Sequence, residues 1–415
     1  MKSTLLFLGS LFIALQSLKA QSIDQVSMQN GYSEMSFYRL SDGFVSSMPL
    51  SDWDLAFSNF SRAGAGIMVN EGASLQGRPL KLFSTSGIEW SDPITNTEQF
   101  TEDRQLFNPD LSWSQGAFNS VADSTNGLDF GWGLYDPQSH KVIGNRIFVL
   151  QLRDQSFRKI LIEELSSGTY HFKIAQLDGS AEQSYEVSKD ASDDPILFFS
   201  LERGQLMNIP VDYDLIFTRY SSSIDDGAGN MIPYTVSGVL QAPGVKVAKA
   251  TGIDPFKVEE SDFAEAYQDE INSIGYDWKS YDFTLGWVLP DDLAYFVETA
   301  DGEKYKLVFL DFEGAQTGIS TIERTPIETA HQRDEKLETS FRLYPNPASD
   351  WVYLEGIDTN TELEWIWRNT SGQMVHRFYG NAQDGCRVPG HLPKGAYILQ
   401  IRSDRGQFSQ IIQVK

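Results

Sequence analysis

Five histidines and one cysteine are the chain's strongest metal donors and nucleophiles, and their spacing builds no known catalytic motif. No His-Glu-x-x-His run sets two imidazoles one helical turn apart, as a zinc site needs. No Gly-x-Ser-x-Gly turn presents a serine nucleophile. Cys386 stands alone near the C-terminus, so no internal disulfide can form and stability must come from packing. His140 lies in the polar stretch Asp136 to Lys141 and reads as solvated, while His171 lies in an apparent strand. Asp225-Asp226-Gly227 hints at a calcium turn, but the ladder of oxygen ligands is missing, and an exposed acidic turn accounts for it better. Carboxylates are abundant, so an acid pair for glycoside hydrolysis stays open until spacing in three dimensions is known. Met68 and Met231 each follow a Gly-Ala-Gly stretch. A thioether on such a loop can reach a metal; it can equally fill a gap in a core.

Composition narrows the classes. Asp and Glu number 57 against 33 Lys and Arg, a formal net charge of −24. Such a surface repels nucleic acid and anionic lipid. Aromatic residues make up 13%, too many for a disordered chain and well suited to strand cores. Lys2, the apolar run Leu5 to Leu15 and the small Ala20 before Gln21 have the layout of a cleavable secretory signal over residues 1–20. No cysteine follows that run, so lipidation there is excluded. No other stretch is apolar for the ~18 residues a membrane helix needs. A chain of 415 residues predicts two or three domains.

The elements that must position these residues are mainly short strands. Trp53, Leu55 and Phe57 alternate on one face, as do Tyr170, Phe172 and Ile174. Phe296 to Thr299 and Tyr305 to Phe309 flank Asp301-Gly302, a hairpin signature. Phe263, Tyr267, Ile271 and Ile274 fall four, four and three apart, which predicts one helix ending at Gly275. An internal repeat runs through the body. Phe37-Tyr38-Arg39-Leu40 parallels Phe198-Phe199-Ser200-Leu201, and Asp52-Trp53-Asp54-Leu55-Ala56-Phe57 parallels Asp212-Tyr213-Asp214-Leu215-Ile216-Phe217. Gly64 to Met68 parallels Gly227 to Met231, Leu75-Gln76 parallels Leu240-Gln241, Phe118-Asn119-Ser120 parallels Ile271-Asn272-Ser273, and Ile147-Phe148-Val149 parallels Tyr295-Phe296-Val297. Matches in constant order predict a duplicated domain, each copy with its own core, over 22–190 and 191–322. A polar linker is expected over 323–340, then a small β-sandwich over 341–415.

The last unit resembles the C-terminal sorting domain of type IX secretion cargo. The carrying residues are Tyr344-Pro345-Asn346-Pro347-Ala348, Gly372-Gln373, Leu392-Pro393-Lys394-Gly395-Ala396-Tyr397 and Val414-Lys415. That resemblance implies export by the type IX machinery, removal of the unit, and release or attachment to surface lipopolysaccharide. The body resembles the HmuY family of haem-binding proteins in two tandem copies. Phe198 to Leu201, Asp212 to Tyr220, Gly227 to Gly229, Tyr295-Phe296-Val297, Asp301-Gly302 and Lys306 carry it best. It implies an all-β fold and haem as the cofactor. Well-known haem binders of the family ligate iron through two loop histidines. The second copy here has no histidine, and the first has only His140 and His171. Haem iron also accepts methionine, which makes Met68 and Met231 the candidate cofactor residues. The expected whole is an all-β chain: two HmuY-like modules and an immunoglobulin-like sandwich. It is read as a non-enzymatic surface binding protein for haem or a related porphyrin, with no catalytic residues and no other metal. A structural or adhesive surface protein without haem is the alternative, and a carbohydrate-active enzyme the third reading.

Overall fold

The computed structural model describes residues 21–60, 64–192, 194–209, 212–327, 342–355, 362–369, 374–390, 392–403 and 406–415. The expected signal peptide falls outside them. The chain forms two compact units that part between Ile327 and Glu328. Among the described residues there are strands and short 3-10 turns but no α-helix.

In the first half of the body the strands are β1 (Ser22–Ser27), β2 (Glu34–Tyr38), β3 (Val45–Pro49), β4 (Leu55–Ser58), β5 (Ile67–Val69), β6 (Lys81–Ser84), β7 (Gln105–Leu106), β8 (Gly133–Asp136), β9 (Lys141–Gly144), β10 (Ile147–Gln151), β11 (Phe157–Ser166), β12 (Thr169–Ala175) and β13 (Gln183–Ser188). In the second they are β14 (Ile196–Ser200), β15 (Gln205–Leu206), β16 (Leu215–Asp225), β17 (Met231–Gln241), β18 (Lys246–Thr251), β19 (Ser280–Asp282), β20 (Gly286–Val288), β21 (Leu293–Glu298), β22 (Lys304–Phe312) and β23 (Ile319–Ile327). Two outer sheets have the orders β13-β12-β11-β10-β6-β7 and β1-β23-β22-β21-β18. Two inner sheets have the orders β15-β14-β4-β5 and β3-β2-β16-β17. Written this way, the inner sheets match strand for strand and the outer sheets match over five strands, β7 being an addition in the first half, which is the duplication in three dimensions.

The halves do not divide at 190 and 191 as expected. The leading strands are exchanged: β1 and β2 pair with β23 and β16 of the second half, while β14 pairs with β4 of the first. A repeated aspartate locks each exchange. Asp54 accepts the backbone N–H of Leu201 at 2.7 Å, and Asp214 accepts that of the equivalent Leu40 at 2.7 Å. Arg153 neutralises Asp54. Asp214 has other carboxylates around it, and burial above all pushes its carboxyl up to about 7.

Three cores fill the layers between the sheets. The inner strands β4 and β14 and the start of β16 are buried on both faces, so their sequences are mainly apolar runs rather than alternating ones. In β14, Leu197 and Phe199 enter the first core and Ile196 and Phe198 the central one. In β16, Leu215 and Phe217 enter the second core and Ile216 the central one. The central core is the junction of the two halves.

The segment expected to be a helix is not one. After a single 3-10 turn at Glu260–Phe263 the chain runs beside β17 and β18, with bridges Val247↔Gln268 and Val239↔Gly275. Its four apolar residues go to three cores: Phe263 and Tyr267 pack on Phe296, Ile271 enters the central core and Ile274 the second. One helix face could not reach all three, so tertiary pairing overrides local periodicity. The linker also starts later than expected. Glu323 to Ile327 continue β23, where the buried Arg324 donates to Asp24 at 3.1 Å and to the Leu40 carbonyl at 2.6 Å. Residues 328–341 are outside the described set.

The second unit contains β24 (Arg342–Tyr344), β25 (Trp351–Glu355), β26 (Glu362–Arg368), β27 (Met374–Asn381), β28 (Cys386–Arg387), β29 (Gly395–Ser403) and β30 (Gly406–Val414). Its sheets, β24-β25-β28 and β27-β26-β29-β30, enclose Trp365, Trp367, Leu399 and Ile412. Cys386 belongs to that core. It accepts from the Trp367 indole at 3.2 Å, and burial pushes its thiol up to about 11, so it is a packing residue.

Candidate functional site

A cleft opens in the central core where the two inner sheets face each other. The first half supplies Met35, Trp53, Met68 to Gly72, Asn108 to Asp110 and Trp113; the second supplies Phe198, Ile216, Thr218 to Ser221, Leu240 and Ile271. Its enclosed volume is about 60 Å³.

Local polar bonds shape the walls. Asn108 imitates a strand neighbour for β5: its amide accepts the Val69 N–H at 3.0 Å and donates to the Val69 carbonyl at 2.7 Å. Asn70 holds the turn after β5 by donating to the Leu50 and Trp53 carbonyls at 2.6 and 2.8 Å. Trp113 crosses to the other half and donates to the Gln241 carbonyl at 2.7 Å. Gly66 must be glycine, because a Cβ there would sit 2.3 Å from the Ser114 carbonyl oxygen.

Five polar side chains give the cleft its chemistry. Glu71 is buried and accepts the Asn108 N–H at 2.7 Å; burial pushes its carboxyl up to about 8, against the lowering effect of bonds to Asn108 and Ser221. Asp110 nearby accepts from Ser222 and Asn272. Arg219 donates to the Ala73 carbonyl and lies 5.9 Å from the Tyr32 ring, and burial lowers its basicity. The Arg219 Nε, the Trp53 Nε1 and the Tyr220 hydroxyl are buried with no protein hydrogen-bond partner.

Glu71 gives a pH prediction. Its folded pKa lies above the ordinary 4.5, so the folded state holds a proton that the unfolded chain releases. The stability this contributes is complete below about pH 4.5 and is lost as pH rises through about 8. Glu71→Gln keeps the acceptor for Asn108 and removes the titration. The variant is expected to flatten the fall in melting temperature between pH 5 and 9 and to exceed the wild type at pH 9. The gain is on the order of 5 kcal/mol, from the interval between 4.5 and about 8 at about 1.4 kcal/mol per pH unit. Parallel pH slopes in the two proteins would refute this.

The two candidate methionines are not brought together. Met68 lies in the cleft wall and is 4% exposed. Met231 is 63% exposed at the far end of the long β16–β17 hairpin, opposite Asp225. The sequence match between them is not a structural one. Met68 faces Ala56 as Leu240 faces Ile216, so Leu240 is the true counterpart of Met68. The Leu75-Gln76 match shifts for the same reason. Gly238 takes the place of Gly66, its own Cβ position 2.5 Å from the Gly275 carbonyl oxygen. Met231 is nine residues further along β17, about 30 Å at strand rise. One iron cannot bind both.

The histidines do not compensate. His140 bonds the Tyr135 hydroxyl at 3.1 Å in an exposed turn, and His171 faces Glu186 at 3.4 Å on the outer sheet. Among the described residues no group of three or more His, Cys, Asp or Glu could hold a metal, and no helix is long and apolar enough to cross a membrane. Trp132 is buried and donates to the Ala65 carbonyl, and Trp90 packs under Lys159 and Lys173, so neither forms a sugar platform. Haem, implied by the family resemblance, therefore does not fit the methionine pair. The cleft is also far smaller than the several hundred Å³ of an ordinary cofactor pocket.

Sequence reasoning missed Glu71, Asp110 and Arg219. A Glu inside the apolar, Gly-rich stretch from Ile67 to Ala73 was the available signal for the first.

The comparisons agree with the architecture. The HmuY protein family matches residues 11–324, and the secretion system C-terminal sorting domain matches residues 342–415. No curated protein and no solved structure matches the chain. The sorting domain implies export by the type IX machinery to the cell surface or the extracellular space. With one family match spanning both exchanged halves and all of the cleft, the chain belongs to the HmuY protein family and ends in a type IX sorting domain.

Proposed function

We propose that this exported protein is a non-enzymatic binding protein that takes a small, mainly apolar ligand between its two halves. The cleft carries the reading. Its walls are Trp, Phe and Met side chains, with a few buried polar groups that have no protein partner. That is the ordinary make-up of a small-molecule site. Met35 and Met68 have three rotatable bonds each and can reshape the cavity around different occupants. Haem or a related porphyrin would enter only if the inner sheets parted, and it would not be held by Met68 and Met231 as a pair. The tail would be removed on export, leaving the body released or attached to lipopolysaccharide.

The test uses methionine-methyl NMR on the full chain. Xenon or 1-butanol is expected to shift the Met35 and Met68 methyl signals and leave Met231 unmoved. Haemin is expected to give no Soret shift that Met231→Ala abolishes. Unmoved Met35 and Met68 signals would remove the cleft as the ligand site. A haemin Soret band lost on Met231 substitution would restore the paired-methionine site.

A further inference from the structure

The hairpin β19–β20 has a counterpart in the first half, and the two are used differently. The counterpart, β8–β9, is hydrogen-bonded to the outer sheet, with Ile143 opposite Glu164 and Val142 opposite Leu165. The bulges after Ile162 in β11 and after Phe309 in β22 align Leu165 with Phe312. In the second half β19 and β20 form a two-stranded sheet of their own. Trp287 occupies the place of Val142 and meets Phe312 edge-on, ring centres 4.9 Å apart. An indole against a phenyl ring needs more room than a valine against a leucine. The wedge holds the hairpin off the edge of β22.

The hairpin is nonetheless well anchored. Trp287 lies over Gly314, where a Cβ would be 2.5 Å from its indole nitrogen. Beneath it the Lys279 ammonium sits 4.1 Å from the Trp278 ring and 4.8 Å from the Phe312 ring, and donates to the Ser237 carbonyl at 2.6 Å. The tip is fixed by Asp282, whose carboxylate accepts the N–H groups of Thr284 and Leu285 at 2.7 and 2.8 Å and is held below its usual pKa by them. Gly286, at φ +83°, closes the loop. From this base Phe283 projects 98% exposed and Leu285 77% exposed, with Tyr281 edge-on to both Phe283 and Trp287.

We propose that this hairpin is a docking finger for a partner protein that offers an apolar pocket bordered by Lys or Arg side chains. Two large apolar residues on a pre-ordered tip can bury in a pocket with little loss of conformational entropy. The basic border follows from charge. The ionised Asp282 must enter with Phe283 and Leu285, Asp291 and Asp292 are exposed just beyond the hairpin, and the whole chain carries −24. An anionic bilayer would repel the same surface.

The test is a selection of displayed peptides against the full chain, with counter-selection against the double variant Phe283→Ser, Leu285→Ser. Both side chains are solvent-exposed, so the variant is expected to melt like the wild type. Recovered peptides are expected to combine aromatic or aliphatic residues with Lys or Arg. They should bind the variant at least about tenfold more weakly and lose affinity as salt rises. Peptides without basic residues, or binding indifferent to Phe283 and Leu285, would overturn the proposal. So would sedimentation with phosphatidylcholine vesicles that the double variant abolishes, since a lipid surface would then be the occupant. Self-association of the chain lost in the same variant would make a second copy the occupant, and would also overturn it.

Discussion

Expressed separately, residues 22–190 and 191–327 are each expected to give no cooperative unfolding transition, and co-expression of the two is expected to restore one folded complex. The exchanged strands dictate this. Without β1 to β3 the second half loses Val26, Met28, Tyr32, Tyr38 and Leu40 from its own core. Without β14 the first half loses Leu197 and Phe199 from its core, and Ile196 and Phe198 from the junction. Burial of a large apolar side chain contributes about 1.5–3 kcal/mol. Five of them amount to roughly 10 kcal/mol, as much as the whole stability of an ordinary domain. The unpaired edges of β4 and β16 would further favour aggregation. A piece cut to keep β4 through β15 together, residues 50–209, retains the first core complete and is expected to melt cooperatively. Circular dichroism melts and size-exclusion chromatography check all three pieces. A cooperative, monomeric 22–190 fragment would disprove the exchange.

Met68→Ala is expected to destabilise the body by about 2–5 kcal/mol. Met231→Ala is expected to change stability by less than about 0.5 kcal/mol. The contrast follows from position. Met68 is packed in the central core, where truncation enlarges a cavity that β-strand backbones cannot close. Met231 stands in solvent beyond the reach of any core. Urea denaturation with a common m-value measures both. Equal losses at the two sites would mean that the long hairpin folds back onto the body, and would reopen the pairing of the two thioethers.

The pH response of Glu71, the methyl shifts in the cleft and the docking of the β19–β20 hairpin concern separate parts of the molecule. Failure of one leaves the others standing. The exchange also bears on the cleft. Each wall is a sheet that contains strands of both halves, so ligand and halves are thermodynamically linked: what binds the cleft stabilises the junction.

Much was legible in the residues alone. Alternation and turn chemistry identify the strands Leu55–Ser58, Thr169–Ala175 and the Leu293–Phe312 hairpin, because side-chain period and positive-φ turns are local properties. The repeat identifies the duplication, and the terminal motif identifies the sorting unit. The register of the repeat was legible only in part. Ile147-Phe148-Val149 aligns with Tyr295-Phe296-Val297 one residue out of place, since Phe148 and Tyr295 share the inward face while Val149 and Phe296 share the outward one. A slip of one residue is invisible where both faces of a strand are apolar, because composition no longer marks inside and outside.

By itself, then, the sequence determined the secondary-structure class, the duplication, the membership in its families and the address at the C-terminus, all carried by neighbours along the chain. Only the tertiary structure decided that the copies trade leading strands, that the apparent helix runs extended across three cores, that Met68 and Met231 lie far apart, and that Glu71 is buried in a cleft. Each of these depends on which distant strand completes a sheet. That choice is made by the summed burial of both faces, a quantity no local window of residues contains.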